Sequence, residues 1–120
     1  MSFLIVLVLQ ERLTMITINF INSKGIQKSV NAVEGETLME CAKKNDIYEI
    51  EADCGGGCSC ATCHVYIEKE WINKIKEPSE MEEDMLDFAL NVKDNSRLSC
   101  QIKLESDLDG LTVRTPETQF

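Results

Sequence analysis

Four cysteines in the chain have a spacing that could hold a metal centre. They follow the pattern Cys54-x5-Cys60-x2-Cys63, and Cys100 comes after 36 further residues. Cysteine thiolates are the ligands of iron–sulfur clusters and of many structural zinc ions. Three thiolates from one loop and a fourth from a distant segment favour a [2Fe–2S] cluster, whose two irons need four thiolates in all.

The loop that carries the first three cysteines, DCGGGCSCATC over residues 53–63, contains three consecutive glycines. Gly55, Gly56 and Gly57 tolerate positive φ, so the backbone can fold tightly and its amides can approach sulfur. Such hydrogen bonds, together with solvent exposure, set a cluster's reduction potential. Two alternatives stay open. A four-cysteine zinc site usually has two CxxC pairs, whereas only Cys60–Cys63 has this form; the other alternative is a redox-active disulfide.

The chain has six cysteines, so two fall outside this pattern. Cys41 lies on the apolar face of a predicted helix, and we expect it to be a small buried apolar residue. Cys58 lies two residues before Cys60, where we expect it to fill a small-residue position. A substitute ligand or an oxidation-sensitive thiol is the alternative role for Cys58.

Short strands and helices must position these cysteines. Alternating apolar residues predict strands over Met15–Asn22 and Ile26–Val33, joined as a hairpin. A capping box at Thr37 and Glu40 opens a helix that extends to about Asn45. The other predicted elements are a strand over Val65–Ile67, a helix from a capping box at Ser79 to about Leu90, and strands over Leu98–Lys103 and Leu111–Arg114. Together they indicate a small α+β fold with one main helix.

Composition limits both size and partners. The 120 residues fit one domain, and 12 basic against 21 acidic side chains give a formal charge of −9. A chain this acidic is a poor ligand for nucleic-acid phosphates. A partner protein with a positive face is favoured instead, because complementary charges steer the encounter.

The N-terminal segment gives no sign of a targeting sequence or a membrane span. Its apolar run, Phe3–Leu9, lacks a basic flank and a cleavage site, and it is too short to cross a bilayer. One interpretation of the apolar run Phe3–Leu9 is an ordinary β-strand. We expect Met1–Thr14 to be a dispensable, non-native extension, with the domain over residues 15–120. The protein is then cytoplasmic, where cysteines serve as metal ligands more often than as disulfides.

Three motifs carry a resemblance to a known family: Cys54-x5-Cys60-x2-Cys63-His64, Arg97-Leu98-Ser99-Cys100-Gln101-Ile102 and Leu108-Asp109-Gly110-Leu111. In these motifs the chain resembles the adrenodoxin/putidaredoxin-type [2Fe–2S] ferredoxins, over roughly Met15 to Phe120. Plant-type relatives have one residue fewer between the first two ligands. The resemblance implies a β-grasp fold, in which a mixed sheet grips a helix and a surface-near loop holds the cluster. It also implies that His64 ties this loop to the rest of the fold.

An acidic stripe is predicted on the second helix. Six acidic residues and no basic one lie between Glu77 and Asp87. Four of them share one face at i, i+3, i+4 and i+7, namely Glu80, Glu83, Asp84 and Asp87. Met81, Met85 and Phe88 form an apolar stripe beside them, which we expect to bind the helix to the core. The resemblance implies that Glu83, Asp84 and Asp87 dock basic surfaces of partner proteins; a solvated acidic face is the alternative.

The sequence contains no evident catalytic pair, so we expect an electron carrier and not an enzyme. The resemblance implies reduction by an NAD(P)H-dependent flavoprotein ferredoxin reductase. The acceptor is either a haem-thiolate monooxygenase or the iron–sulfur cluster assembly machinery. The terminal aromatic, Phe120, favours the monooxygenase, because such ferredoxins often end similarly; a frayed tail is the alternative. A zinc-bound interaction module is the alternative from another class, and we expect a monomer.

Overall fold

The computed structural model describes residues 15–47 and 63–117 of the chain. The predicted extension, Met1–Thr14, lies outside these residues, so its role and the domain boundary stay predictions. None of the helices in the described segments combines the length and the apolar character that a bilayer span requires.

The first two strands form the hairpin that the alternating sequence predicts. β1 (Met15–Ile21) pairs antiparallel with β2 (Gln27–Val33), and Gly25, with a φ of +82°, lies in the turn between them. Alternate side chains of a strand point to opposite faces of the sheet. The apolar set of β1 therefore lies in the core, where Ile16, Ile18 and Phe20 are buried.

Three later strands complete a mixed sheet of five strands within the described segments. They are β3 (His64–Ile67), β4 (Ser96–Leu98) and β5 (Thr112–Arg114), and the order across the sheet is β2-β1-β5-β3-β4. β1 and β5 run parallel, whereas the other neighbouring strands run antiparallel. The hairpin strand β2 and the strand β4 thus lie at opposite edges of the sheet.

The first helix, α1 (Leu38–Lys44), begins at the predicted capping box. Thr37 Oγ1 accepts a hydrogen bond from the Glu40 N–H at 3.1 Å, and the Glu40 carboxylate accepts one from the Thr37 N–H at 3.0 Å. One face of α1 is buried in the core and consists of Leu38, Met39, Cys41 and Ala42. A mixed sheet that grips a helix is the predicted α+β arrangement of the β-grasp fold, and it is confirmed.

The second helix, α2 (Glu80–Leu86), begins where predicted but ends before Leu90. Ser79 Oγ accepts a hydrogen bond from the Glu82 N–H at 3.2 Å. The predicted reciprocal half of this capping box is wrong, because the Glu82 carboxylate points into the protein and binds β4. A single side-chain cap therefore starts α2.

A buried ion pair joins α2 to β4. The Glu82 side chain is 1% exposed, and its carboxylate accepts hydrogen bonds from Arg97 Nε at 2.7 Å, Arg97 Nη2 at 2.9 Å and the Leu98 N–H at 2.9 Å. Arg97 Nη1 also donates to the Lys76 carbonyl at 2.8 Å. These bonds offset the desolvation of both charges, since paired groups with satisfied donors tolerate burial.

Of the predicted apolar stripe of α2, only Met85 packs against the core. Met81 is 60% exposed and Phe88 is 75% exposed, while Met85 is only half-buried. The buried face consists of Glu82 and Leu86, which lie one turn apart. Pairing with Arg97 allows a glutamate to occupy this face, and two members of the predicted stripe, Met81 and Phe88, are turned toward solvent.

The segment that leads to Cys100 leaves the sheet earlier than predicted. A 3₁₀ helix over Ser99–Gln101 follows β4, and Lys103 makes only an isolated bridge with Thr37. The prediction of a strand over Leu98–Lys103 is therefore wrong. Ser99 directs its N–H and hydroxyl to the Cys63 carbonyl, which curls the chain away from an extended path.

We predict that Glu82→Gln destabilises the folded protein by about 3 kcal/mol, because it leaves the Arg97 charge without its carboxylate partner in a largely buried site. The thermal midpoint of the cluster-loaded protein should fall by roughly 10 °C. Glu83→Gln is the matched control, because this neighbouring side chain is exposed. Equal midpoints for the two variants would contradict a stabilising role for the pair.

Candidate metal centre

The structure brings two of the four predicted ligands together. The Sγ atoms of Cys63 and Cys100 lie 3.3 Å apart, and both residues are buried. Cys63 directly precedes β3, and Cys100 lies in the 3₁₀ helix after β4. The antiparallel register of these strands pairs His64 with Leu98, which places the two cysteines at the same end of the strand pair.

A pair of hydrogen bonds holds the two cysteine segments at this distance. The Cys63 carbonyl accepts from the Ser99 N–H at 2.9 Å and from Ser99 Oγ at 2.8 Å. Ser99 is fully buried, so both bonds are shielded from water. Because Ser99 directly precedes Cys100, this contact fixes the backbone of one cysteine against that of the other.

The sulfur–sulfur distance fits two ligands of one metal ion. A disulfide bond is about 2.04 Å long, far shorter than the 3.3 Å between these sulfurs. A tetrahedral ion with metal–sulfur bonds of about 2.3 Å separates its sulfurs by about 3.8 Å. The pair is therefore within about half an ångström of the spacing that one tetrahedral metal ion requires.

Gln101 contributes a polar contact to the site. Its Nε2 donates to Cys100 Sγ at 3.4 Å, and the Gln101 side chain reaches solvent. Hydrogen bonds to a ligand sulfur stabilise the additional electron of a reduced cluster and raise its reduction potential. An exposed polar side chain thus lies beside the buried sulfur of Cys100.

His64 links β3 and β4, the two strands next to which the cysteines lie. Its ring is 1% exposed, its Nε2 lies 2.8 Å from Ser96 Oγ on β4, and it packs edge-on against Tyr66. Burial, with a smaller contribution from the Lys93 charge, lowers the pKa of His64 to about 4. The imidazole is therefore neutral at physiological pH, as its apolar surroundings require.

The remaining cysteines differ in what the structure shows of them. Cys41 is buried as predicted, and burial, reinforced by the Glu36 charge, raises the pKa of its thiol to about 11. It is therefore an uncharged core residue on α1. The other two predicted ligands, Cys54 and Cys60, lie outside the described residues, as does Cys58. In the segments that are described, no three potential metal ligands of the His, Cys, Asp or Glu type converge.

The predicted docking residues of α2 lie on the surface. Glu80, Glu83, Asp84 and Asp87 are all exposed, and none forms a salt bridge with another described residue. The same helix is anchored through Glu82 to β4, the strand that leads to Cys100. Phe120 lies outside the described residues.

Sequence reasoning missed two supports of the site. Ser99 was part of a motif, but nothing in its local pattern signalled a bond to a carbonyl 36 residues earlier. Glu82 was interpreted as a cap, because the Ser79-x-x-Glu82 pattern is a local signal. The spacing of Glu82 and Leu86 at i and i+4 was the signal that both could share a buried face.

Comparison with known proteins identifies relatives over most of the chain. A family model described as "2Fe-2S iron-sulfur cluster binding domain" matches residues 21–105. A 2Fe-2S ferredoxin of Rickettsia conorii is 48% identical over 103 residues, which cover 86% of this chain and 91% of that protein.

Solved structures of [2Fe–2S] ferredoxins are also similar to this chain. A reduced cysteine-to-serine variant of putidaredoxin from Pseudomonas putida is similar with a TM-score of 0.85 and 38% identity, covering 87% of this chain and 99% of that one. A chain of the covalent putidaredoxin reductase–putidaredoxin complex is similar with a TM-score of 0.80 and 39% identity. The match covers 82% of the present chain and 96% of that one. At 38% and 39% identity, these structures support the family of the chain as well as its fold.

We predict that Ser99→Ala accelerates loss of the bound metal centre roughly fivefold, since one buried hydrogen bond contributes about 1 kcal/mol. The measurement is the decay of visible absorption in the presence of an iron chelator, without oxygen. Ser106→Ala serves as the control, because Ser106 is exposed in another 3₁₀ helix. Identical decay rates would show that the hydroxyl of Ser99 does not hold the site together.

Proposed function

The chain belongs to the adrenodoxin/putidaredoxin-type [2Fe–2S] ferredoxins, and we propose that it carries electrons from a flavin-containing, NAD(P)H-dependent reductase to a haem-thiolate monooxygenase. As a member of this family it is an electron carrier and not an enzyme, and its cofactor is a [2Fe–2S] cluster. The family assignment decides against the zinc and disulfide alternatives that the cysteine spacing left open. We place its action in the cytoplasm, as a monomer.

Cys54, Cys60, Cys63 and Cys100 are the proposed cluster ligands. The support is the donor chemistry, with four thiolates for two irons, and the convergence of the Cys63 and Cys100 sulfurs at 3.3 Å. When bound, the cluster accepts and releases one electron. The chain's own part is to fix the ligand segments through Ser99 and to keep water away from the buried sulfurs of Cys63 and Cys100.

The acidic face of α2 is the proposed docking surface, with Glu83, Asp84 and Asp87 at its centre. The observation that carries this proposal is that these carboxylates are exposed and form no salt bridge with other described residues. Like charges at i and i+4 repel each other by a few tenths of a kcal/mol. A basic partner surface would relieve this repulsion, and its attraction would orient the encounter.

The reductase and the acceptor rest on different support. Similarity to a chain of the putidaredoxin reductase–putidaredoxin complex supports a reductase as electron donor. The monooxygenase as acceptor rests only on the resemblance to putidaredoxin-type ferredoxins. Delivery to the iron–sulfur assembly machinery is the outcome that would replace the monooxygenase.

We predict that serine in place of Cys54, Cys60, Cys63 or Cys100 changes or abolishes the visible absorption and the electron paramagnetic resonance signal of the reduced protein, because each substitution removes a thiolate ligand. Cys41→Ser and Cys58→Ser are the controls and should keep the wild-type spectra. A wild-type spectrum from any of the four ligand variants would remove that residue from the ligand set.

We predict that Asp84→Asn combined with Asp87→Asn slows reduction by the flavoprotein reductase about tenfold at low ionic strength, since these charges steer the encounter. The measurement is the rate at which NAD(P)H and the reductase bleach the visible absorption of the cluster. A second assay adds the monooxygenase and measures the rate of product formation. The cluster spectrum should not change.

Two results would count against this scheme. If the Asp84→Asn, Asp87→Asn variant and wild type are reduced at equal rates at low ionic strength, the acidic face of α2 is not the docking surface. Screening of exposed charges is weakest at low ionic strength, so an effect of these charges would be visible under that condition. The second result is rapid bleaching by the reductase with no product from the monooxygenase, together with electron transfer to iron–sulfur assembly proteins. The assembly machinery would then be the acceptor, and the protein would still be an electron carrier.

A further inference from the structure

An apolar ridge, formed by Met81 on α2 and by Phe88 two residues after the helix ends, lies in solvent beside the acidic face. Eight large apolar side chains are exposed in the described part of the chain, and four of them fall between Met81 and Val92. Phe88, at 75%, is the most exposed of the eight, and Met81 is 60% exposed. Single exposed apolar residues are ordinary, but a concentration of them on one side of a molecule marks an interaction site.

The ridge has a defined position on the helix. Met81 and Phe88 are seven residues apart, which places them on the same side two turns apart. After α2 ends at Leu86, a turn leads to the end of the ridge, since Asp87 has φ −62° and ψ −20° and the Phe88 N–H donates to the Met85 carbonyl three residues earlier. At 100° per residue, Met81 falls between the exposed Asp84 and the half-buried Met85 on the helix.

The core does not need this ridge, because Glu82 and Leu86 already anchor α2. The acidic face beside the ridge carries negative charge only. A complementary partner surface therefore has an apolar depression bordered by lysine and arginine. Interfaces of this kind combine a desolvated apolar centre, which determines affinity, with a charged rim that guides the encounter.

We propose that the Met81–Phe88 ridge is the affinity-determining contact between this ferredoxin and its flavoprotein reductase, and that it seats in an apolar depression rimmed by basic residues. The proposal rests on the function proposed above, because it names the contact through which the reductase recognises the docking surface. The two parts of the surface then have separate tasks. The carboxylates of α2 accelerate the encounter, and the ridge slows dissociation.

These tasks respond differently to salt. Screening weakens interactions between exposed charges, with a Debye length of about 10 Å at 0.1 M and about 3 Å at 1 M. Apolar contact is not screened in this way. The effect of substituting the ridge, expressed relative to wild type at the same ionic strength, should persist at high salt, whereas the effect of neutralising Asp84 and Asp87 should disappear.

The test measures the initial rate at which the flavoprotein reductase, supplied with NAD(P)H, bleaches the cluster-loaded protein at increasing ferredoxin concentration. Met81→Ser combined with Phe88→Ser should raise KM for the ferredoxin at least tenfold at both low and high salt, with little change in kcat. Ile26→Ser is the matched control. Ile26 is 62% exposed and directly precedes β2, at the edge of the sheet opposite β4.

Each outcome bears on the proposal separately from the function. If KM is unchanged for the ridge variant while the reductase fully reduces wild type, the ridge is not the affinity-determining contact. The proposed function is not affected by that result. An equal rise in KM for Ile26→Ser also overturns it, because the effect would then not be local to α2. A wild-type protein that the reductase does not bleach overturns the proposed function and the ridge with it.

The ridge variant must also be shown to fold. Its cluster absorption and melting midpoint should match wild type, since both side chains are largely solvated in the free protein. If the double variant loses its cluster, the single substitutions Met81→Ser and Phe88→Ser replace it, each with an expected rise in KM of about threefold.

Discussion

Cys63 and Cys100 are 37 residues apart in the chain, and the pairing of β3 with β4 brings their sulfurs to 3.3 Å, a contact on which the geometry of the site depends. The register of these strands aligns the residues that follow and precede the cysteines, and Ser99 then fixes the final distance through the Cys63 carbonyl. Every other element of the site acts on this pair of strands. His64 joins them through Ser96, and Glu82 binds the backbone of β4 directly.

The helix α2 connects the metal centre to the protein surface. Its inner face holds Glu82 against Arg97 and Leu98, two residues before Cys100, while its outer face carries the acidic residues and the Met81–Phe88 ridge. A partner bound to the outer face would therefore contact an element that is bonded to β4, the strand that leads to Cys100. The buried carboxylate matters for this geometry, because an apolar residue in its place could not bind the Arg97 guanidinium or the Leu98 N–H.

The acidic composition has two different uses in one helix. Exposed carboxylates on α2 are repelled by one another and are available to a basic partner, whereas Glu82 is desolvated and committed to an internal bond. The sequence pattern sets Glu82 apart from the acidic stripe only as a capping residue and does not pair it with Arg97. The roles of these carboxylates differ because the helix has a single rotational setting, and this setting decides which carboxylate faces Arg97 and which faces water.

Local sequence patterns determined much of this protein. The alternation in β1, the capping box at Thr37 and Glu40, and the spacing of Cys54, Cys60, Cys63 and Cys100 predicted the hairpin, the main helix and the family, because each pattern depends on neighbouring residues or on ligand chemistry. The tertiary structure alone decided that Met81 and Phe88 face solvent, that Glu82 is buried and that the chain curls at Ser99. These features depend on contacts between residues distant in sequence, and such contacts follow from packing, which no local pattern records.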